Sequence, residues 1–339
     1  MASYFFSDNT ASVSPELLEA IHEANPGQVK AYGDDPWTQR LNEVFGKFFE
    51  TDVSVFALST GTAANALALA TLVPPYGAIF AHGDSHIMRD ECGAPEFYTG
   101  GGRIVEVEGA DGKINPQALA ESLDAWPASV HTYQPSAVAL TQATELGTVY
   151  RPEEISAIAE LAHRRGLHVQ LDGARFANAV VSLGVKPADI TWRAGVDVLS
   201  FGATKNGALG AEAVVFFDRG HVRDFELRRK RGGHLLSKSR YVSAQLLAYI
   251  ESGVWQRNAA RANAFAARIG EAVADFLMHP VQANEVFLRL GDSRKAQLRA
   301  SGFFFYDWGP ERSGEARFVA SWDQREGDVD ALCAALRTL

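Results

Sequence analysis

Short apolar runs near 53–58, 78–82, 103–107, 137–140, 167–171, 196–200 and 212–217 alternate with helical periodicity at 62–73, 116–126 and 153–165. Runs this brief and this uniformly apolar read as strands covered on both faces, and their alternation with helices is the rhythm of a mostly parallel α/β sheet. The helix at 153–165 is the best marked. Pro152 suits its first turn, Glu153 and Glu154 favour its positive end, and His163 to Arg165 followed by Gly166 favour a stop. From about residue 238 the pattern changes to long helices, one through Gln245 and Leu247 to Trp255 and an Ala-rich one across 258–277. A strand at 284–290, a helix at 292–300, strands near 303–306 and 316–321 and a terminal helix at 328–338 then predict a smaller α+β unit. The expected division is an N-terminal arm over 1–25, a large domain over 26–240, and interdomain helices with a small C-terminal domain over 241–339. There is no internal repeat, and TGGGR at 99–103 is a turn.

Composition narrows the function classes. With 339 residues, 47% of them hydrophobic and 22% charged, the chain is globular and long enough for more than one core. A net charge of −9 argues against non-specific nucleic-acid or anionic-membrane binding. The basic stretch from Arg228 to Arg240 is the local exception, and a solvated helix face accounts for it without further function. Cys92 and Cys333 lie far apart and outside any CxxC or Cys/His spacing, so neither a disulfide framework nor a zinc site is expected. A reducing cytoplasm fits. No apolar run approaches membrane-spanning length, and MASYFFSDNT lacks a basic region followed by a long apolar core.

Chemistry enters at two strand ends. Asp172 in HVQLDGARFANA (168–179) and Lys205 in VDVLSFGATKNG (196–207) each stand where a buried strand gives way to a turn. Ligands of open α/β sheets collect beyond the carboxyl ends of such strands, so one acid and one amine face one crevice. A lone Lys is ordinarily a surface charge and a lone Asp a turn or helix cap. The pair together is what pyridoxal 5′-phosphate (PLP) requires: a lysine for the Schiff base and a carboxylate to keep the pyridine nitrogen protonated. A third piece is LSTGTAANALALATL at 58–72, where a strand runs through Ser59, Thr60, Gly61 and Thr62 into a helix. Its free N–H groups and positive helix end suit a phosphate.

The chain resembles the L-threonine aldolases of the PLP-dependent aspartate aminotransferase superfamily, fold type I, within the β-eliminating lyase group. The resembling stretches are FSDNTASVSPELLEAI (6–21), YGDDPWTQRL (32–41), STGTAANALAL (59–69), HIMRDECGAPEF (86–97), DGARFANAV (172–180), FGATKNG (201–207) and RRKRGGHLLSKSR (228–240). The resemblance implies an α/β fold whose large domain carries a mostly parallel seven-stranded sheet covered by helices, with a small α+β C-terminal domain. It makes Gly61 and Thr62 the phosphate-binding pair, Asp172 the partner of the pyridine nitrogen, Lys205 the cofactor lysine and His86 the residue stacked over the ring. Arg175 resembles an arginine that contacts cofactor or substrate, and its i, i+3 spacing from Asp172 directs both into one cleft if a helix starts there. Arg317 in GEARFVASWD resembles the carboxylate-binding arginine, with Ser7 as its helper, and planar bidentate recognition favours arginine in that role. Arg240 or Arg231 would complete a neighbouring subunit's phosphate site, which implies a homodimer or a homotetramer.

The activity implied is retro-aldol cleavage of an L-β-hydroxy-α-amino acid to glycine and an aldehyde, with His86 as the candidate base for the β-hydroxyl proton. A β-eliminating lyase or an aminotransferase on the same scaffold would share Asp172 and Lys205 but release a keto acid. One departure stands out. The better-known members place a histidine after the strand that here reads AVALTQATELGTVY (137–150), where this chain offers Thr141, Gln142, Thr144 and Glu145. His131 lies upstream of that position. Discrimination among threonine, allo-threonine and aryl-serines is expected to depend on the loops near Tyr32, His86 and 141–146.

Overall fold

The computed structural model describes residues 2–338. Seven strands build the central sheet: β1 (Ser54–Leu58), β2 (Gly77–His82), β3 (Arg103–Val107), β4 (Gln134–Thr141), β5 (His168–Gly173), β6 (Val198–Gly202) and β7 (Glu212–Phe216). Their order is β1-β7-β6-β5-β4-β2-β3. Only β7 runs against its neighbours, the other pairings being parallel. The carboxyl ends of β1, β5 and β6 therefore share one edge of the sheet, which is where a parallel α/β sheet offers its ligand crevice.

Alternation along the strands divides the interior into two layers. Phe80, Val138, Leu140, Val169, Leu171 and Phe201 pack one face against Leu41, Phe45, Phe49 and Ile158. Ile79, Ala81, Ala139, Val198 and Val214 pack the other against Leu67, Leu69 and Leu72. The helix Gly61–Leu72 is buried at every position from Ala63 to Leu72. Its Ala/Leu composition follows from that: a helix without a polar face has to lie inside the protein.

The C-terminal part differs from the expected pattern in two places. The first long helix stops at Glu251 and the second runs Val254–Ala272, because Gly253 turns the chain at φ 71°. Trp255 thus belongs to the second helix. The run near 303–306 also splits. Phe303–Phe304 pairs in parallel with Ser3–Tyr4 of the arm, whereas Tyr306–Trp308 pairs with Glu315–Val319 and, beyond it, Glu285–Arg289 in a three-stranded antiparallel sheet. The helix Arg240–Glu251 buries Val242, Leu246, Leu247 and Tyr249 in the large core. A separate core unites Phe5, Phe265, Ile269, Val286, Leu288, Phe318 and Leu332.

The N-terminal arm is a strap between these cores. Its strand is fixed by bonds from Ser3 N to Gly302 O (2.9 Å) and Phe5 N to Phe304 O (2.7 Å), and Val319 N returns one to Phe5 O (2.9 Å). Phe5 is fully buried there. The chain then crosses toward the large sheet and is tied again by Ser14 N to Gly207 O at 2.8 Å. Between the two ties, Asp8 receives Nε and Nη2 of Arg175 at 2.8 and 3.0 Å and Nδ2 of Asn284 at 3.0 Å. One carboxylate thus joins arm, large sheet and small sheet.

Burial alone would raise the pKa of Asp8. Arg175, with Lys205 and Asn284, outweighs burial and holds it at about 2 against an ordinary 3.8. A carboxyl depressed in the folded state contributes stability that is present above the unfolded pKa and lost as pH falls through the folded one. The Asp8→Asn variant is therefore expected to be less stable than wild type at neutral pH, with the gap narrowing between pH 3.8 and about 2. Urea unfolding at stepped pH measures this, and a gap independent of pH would contradict it.

Candidate active site

A cleft of about 440 Å³ opens at the shared strand edge, lined by Asn9, Thr60, Gly61, Thr62, Asn65, His86, Asp172, Lys205 and Glu212 among others. That is the size of an ordinary small-ligand site. At its floor the helix Gly61–Leu72 begins, capped by Thr60, whose hydroxyl accepts from Ala63 N–H at 3.3 Å. The cap uses the Ala63 donor. The N–H groups of Gly61 and Thr62 precede the first intrahelical bond and point, with the positive helix end, toward the cleft. A Cβ on Gly61 would meet nothing within 4 Å, so the backbone there is open to a ligand.

Asp172 ends β5 and is fixed from two sides. Its Oδ2 accepts from Asn65 Nδ2 at 2.7 Å and its Oδ1 from Ala174 N–H at 2.9 Å. Asn65 is placed in turn by Gln170, whose Nε2 donates to Asn65 Oδ1 at 3.1 Å and to Ser200 Oγ at 3.2 Å. The same Asn65 amide reaches Glu91 Oε1 at 2.9 Å, and Glu91 holds Nδ1 of His86 at 2.9 Å. This hydrogen bond raises the pKa of His86, overcoming the opposite effect of burial, and the charges of Asp172, Glu145 and Glu91 act in the same direction. Asn65 and Glu91 were not singled out in the sequence. The signal for Asn65 was there, since it is an amide in a helix that is otherwise almost wholly Ala and Leu.

Lys205 lies in a tight turn, Thr204–Asn206, just beyond β6. Every neighbour is clamped. Asn206 Nδ2 donates to Tyr249 Oη at 2.6 Å and Trp255 O at 2.8 Å, while Asn258 Nδ2 bonds Asn206 O at 3.0 Å and Ser14 Oγ at 2.8 Å. Gly207 adopts φ 115°, and a Cβ there would come within 2.3 Å of Ser14 Oγ. The Lys205 amine itself lines the cleft with no hydrogen bond or ion pair among the described residues. Across from it, burial pushes Glu212 up to about 7, against the opposing effects of Thr204 and Lys205.

The arginines are arranged differently from the sequence expectation. Asp172 is still in its strand and the helix begins only at Phe176, so the i, i+3 relation expected for Arg175 does not arise. Arg175 is buried, bonded to Asp8 and ion-paired with Glu285 at 3.2 Å, and does not line the cleft. Burial opposes its charge, but Asp8 and Glu285 raise its pKa nonetheless. The second oxygen of Glu285 takes Arg317, from Nε at 3.1 Å and Nη2 at 3.0 Å. The Arg317 guanidinium lies 5.5 Å from the Trp308 ring, which sets its plane. Ser7 Oγ caps the short turn Asp8–Thr10 by accepting from Asn9 N–H at 3.2 Å.

Tyr32 and Arg240 stand apart from the cleft. Tyr32 is 54% exposed with Lys230 over its ring at 4.7 Å, and Arg240 donates to Gly27 O at 3.0 Å. Within the basic run, Arg229 is buried, donating to Ala57 O at 2.7 Å, whereas Arg231 is exposed.

The residues fit PLP. An anion cradle at Gly61 and Thr62, a carboxylate with spare lone pairs at Asp172 and an unpaired amine at Lys205 line one cleft, and these are the groups that such a cofactor engages.

Comparison with known proteins agrees with this geometry. The family model described as beta-eliminating lyase matches residues 5–293. A protein named low specificity L-threonine aldolase from a Pseudomonas species is 43% identical, over 99% of this chain and 97% of its own length. One of the same name from Pseudomonas aeruginosa is 45% identical over 94% of this chain and 92% of its own. A solved structure of Leishmania major threonine aldolase superposes with a TM-score of 0.93 at 26% identity, covering 99% of this chain and 98% of that one. With its fold, its PLP-fitting cleft and two relatives above 40% identity over nearly their full lengths, this chain belongs to the beta-eliminating lyase family, alongside the low-specificity L-threonine aldolases.

Proposed function

We propose that this protein is a PLP-dependent aldehyde-lyase that cleaves L-threonine, L-allo-threonine and related L-β-hydroxy-α-amino acids to glycine and an aldehyde. The observation that carries the reading is the convergence of Asp172, the unpaired Lys205 and the Gly61–Thr62 cradle in one cleft of a chain this similar to the aldolases. Bound PLP supplies an acceptor for the electron pair released at Cα when the Cα–Cβ bond breaks. Asp172, oriented by Asn65 and Ala174, keeps the pyridine nitrogen protonated. Lys205 would hold the cofactor through its amine and, with substrate bound, would be available to move a proton at Cα. His86, turned by Glu91, would lie over the cofactor ring.

Arg317 grips the substrate carboxylate. Glu285 engages its Nε and Nη2 through a single oxygen, and Nη1 has no protein partner among the described residues. Ser7 serves as its helper from the arm. Fixing the carboxylate at one end and the amine at the other sets the Cα–Cβ bond across the ring plane, which is a positioning effect. Arg240 or Arg231 completes the phosphate site of a neighbouring subunit in a homodimer or homotetramer. Among the described residues no helix is long and apolar enough to cross a membrane. Two cysteines without a disulfide suit a cytoplasmic setting.

The test is product analysis. PLP-supplemented protein incubated with L-threonine, L-allo-threonine and L-threo-phenylserine is expected to release glycine and aldehyde in equal amounts. Keto acid without glycine would move the assignment to a β-eliminating lyase or aminotransferase. Lys205→Ala is expected to abolish aldehyde release while keeping the fold by circular dichroism; near wild-type release would sink the assignment. Arg317→Lys loses the planar fork and is expected to raise KM on the order of tenfold, with a smaller effect on kcat. An unchanged KM in that variant would remove Arg317 from the carboxylate site.

A further inference from the structure

The loop after β4 is tied at almost every polar group. Gln142 N–H donates to Asp172 O at 2.7 Å, and its side-chain amide exchanges bonds with Tyr150, 2.7 Å to the carbonyl and 2.9 Å from the N–H. Thr144 N–H bonds Thr148 O at 2.9 Å, the two hydroxyls meet at 2.8 Å, and Thr148 Oγ1 donates to Asp111 O at 2.6 Å. At the tip, a Cβ on Gly147 would lie 3.1 Å from Cβ and O of Glu285, so the loop is seated directly on the residue that holds Arg317.

Glu145 at this tip is the exception. Its carboxyl makes no hydrogen bond and no ion pair among the described residues. The charged groups that act on it are Lys205, Arg175, Glu285 and His86, all four on other elements, two from the cleft and two from its supports. Burial raises its pKa, while Lys205 and Arg175 pull the other way. A half-buried carboxyl with nothing to bond in the free protein is costly unless a ligand provides the missing partner. A carboxyl with an open lone pair beside two cleft groups is also placed to accept a proton from a ligand.

We propose that Glu145 is a catalytic residue: its carboxylate accepts the hydrogen bond of the substrate β-hydroxyl and takes that proton as the Cα–Cβ bond breaks. The proposal rests on the aldolase reading above. The O–H bond gives its proton to Glu145, its electron pair becomes the second bond of the aldehyde carbonyl, and the Cα–Cβ pair stays on Cα. Cα then takes one proton to yield glycine, and Glu145 returns its proton to solvent when the aldehyde leaves. This assigns to Glu145 the step expected of His86 from the sequence. His86 is engaged through Nδ1 by Glu91, which ties it to the Asn65–Asp172 network.

The experiment compares wild-type and Glu145→Gln holoenzymes, both PLP-loaded. For L-threonine, kcat is expected to fall by about 10² to 10⁴. Exchange of the glycine Cα proton in D₂O, followed by NMR, involves no hydroxyl and is expected to fall far less. The wild-type kcat should decline as pH is lowered through a single ionisation, and that limb should vanish in the variant. Glu145→Asp should recover part of the cleavage. The inference is overturned if Glu145→Gln cleaves threonine at the wild-type rate, if cleavage and glycine exchange fall in the same proportion, or if the acid limb persists. Failure of the wild-type enzyme to form glycine and aldehyde would instead bring down the aldolase reading itself.

Discussion

Four charged side chains, Asp8, Arg175, Glu285 and Arg317, alternate in sign along one line from the N-terminal arm through the large sheet to the small one. Burying any one of them alone would cost several kcal/mol, and breaking such a pair by removing one partner typically costs about 3–5 kcal/mol. Together they are neutral, and each is held by geometry that the others supply. The arrangement makes the relative position of the two cores a condition for satisfying the charges. It also fixes the orientation of Arg317, on a strand of the small sheet, through Glu285. Arg175 and Arg317 are tied to each other through their shared partner Glu285.

A similar logic governs the rest of the site. Asp172 and His86 are linked through Asn65 and Glu91, so the group expected at the pyridine nitrogen and the group expected over the ring are set by one amide. Lys205 is free, but Asn206, Gly207, Ser14 and Asn258 around it are all bonded. The Lys205 amine and the N–H groups at the helix start are left open in the cleft, where a cofactor engages them. Prior positioning of this kind lowers the entropy lost when substrate and catalytic groups meet.

Much of this was legible in the sequence because it is local. Seven apolar runs, the Thr-Gly-Thr turn before an Ala/Leu helix, and an acid and an amine at strand ends each depend on neighbouring residues, and each lies where its pattern placed it. The break at Gly253 was masked by helix-forming residues on both sides. What the sequence could not display are contacts between distant segments. Asp8 and Arg175 are separated by 167 positions and Asp8 and Asn284 by 276, and nothing local marks them as partners. Glu145 was visible only as one acid in the 141–146 segment, and its lack of a partner emerges only once its neighbours in the loop are seen to be bonded.

The central claim is that the strapped ion-pair line holds Arg317 ready for the carboxylate of an amino acid bound over Asp172 and Lys205. A crystal structure of the PLP-loaded protein with glycine tests it most directly. The account predicts the phosphate on the Gly61 and Thr62 N–H groups, the ring nitrogen at hydrogen-bond distance from Asp172, and the glycine carboxylate on Arg317 with the Asp8–Arg175–Glu285 line intact. A glycine carboxylate bound elsewhere, with Arg317 engaged by Glu285 alone, would contradict it.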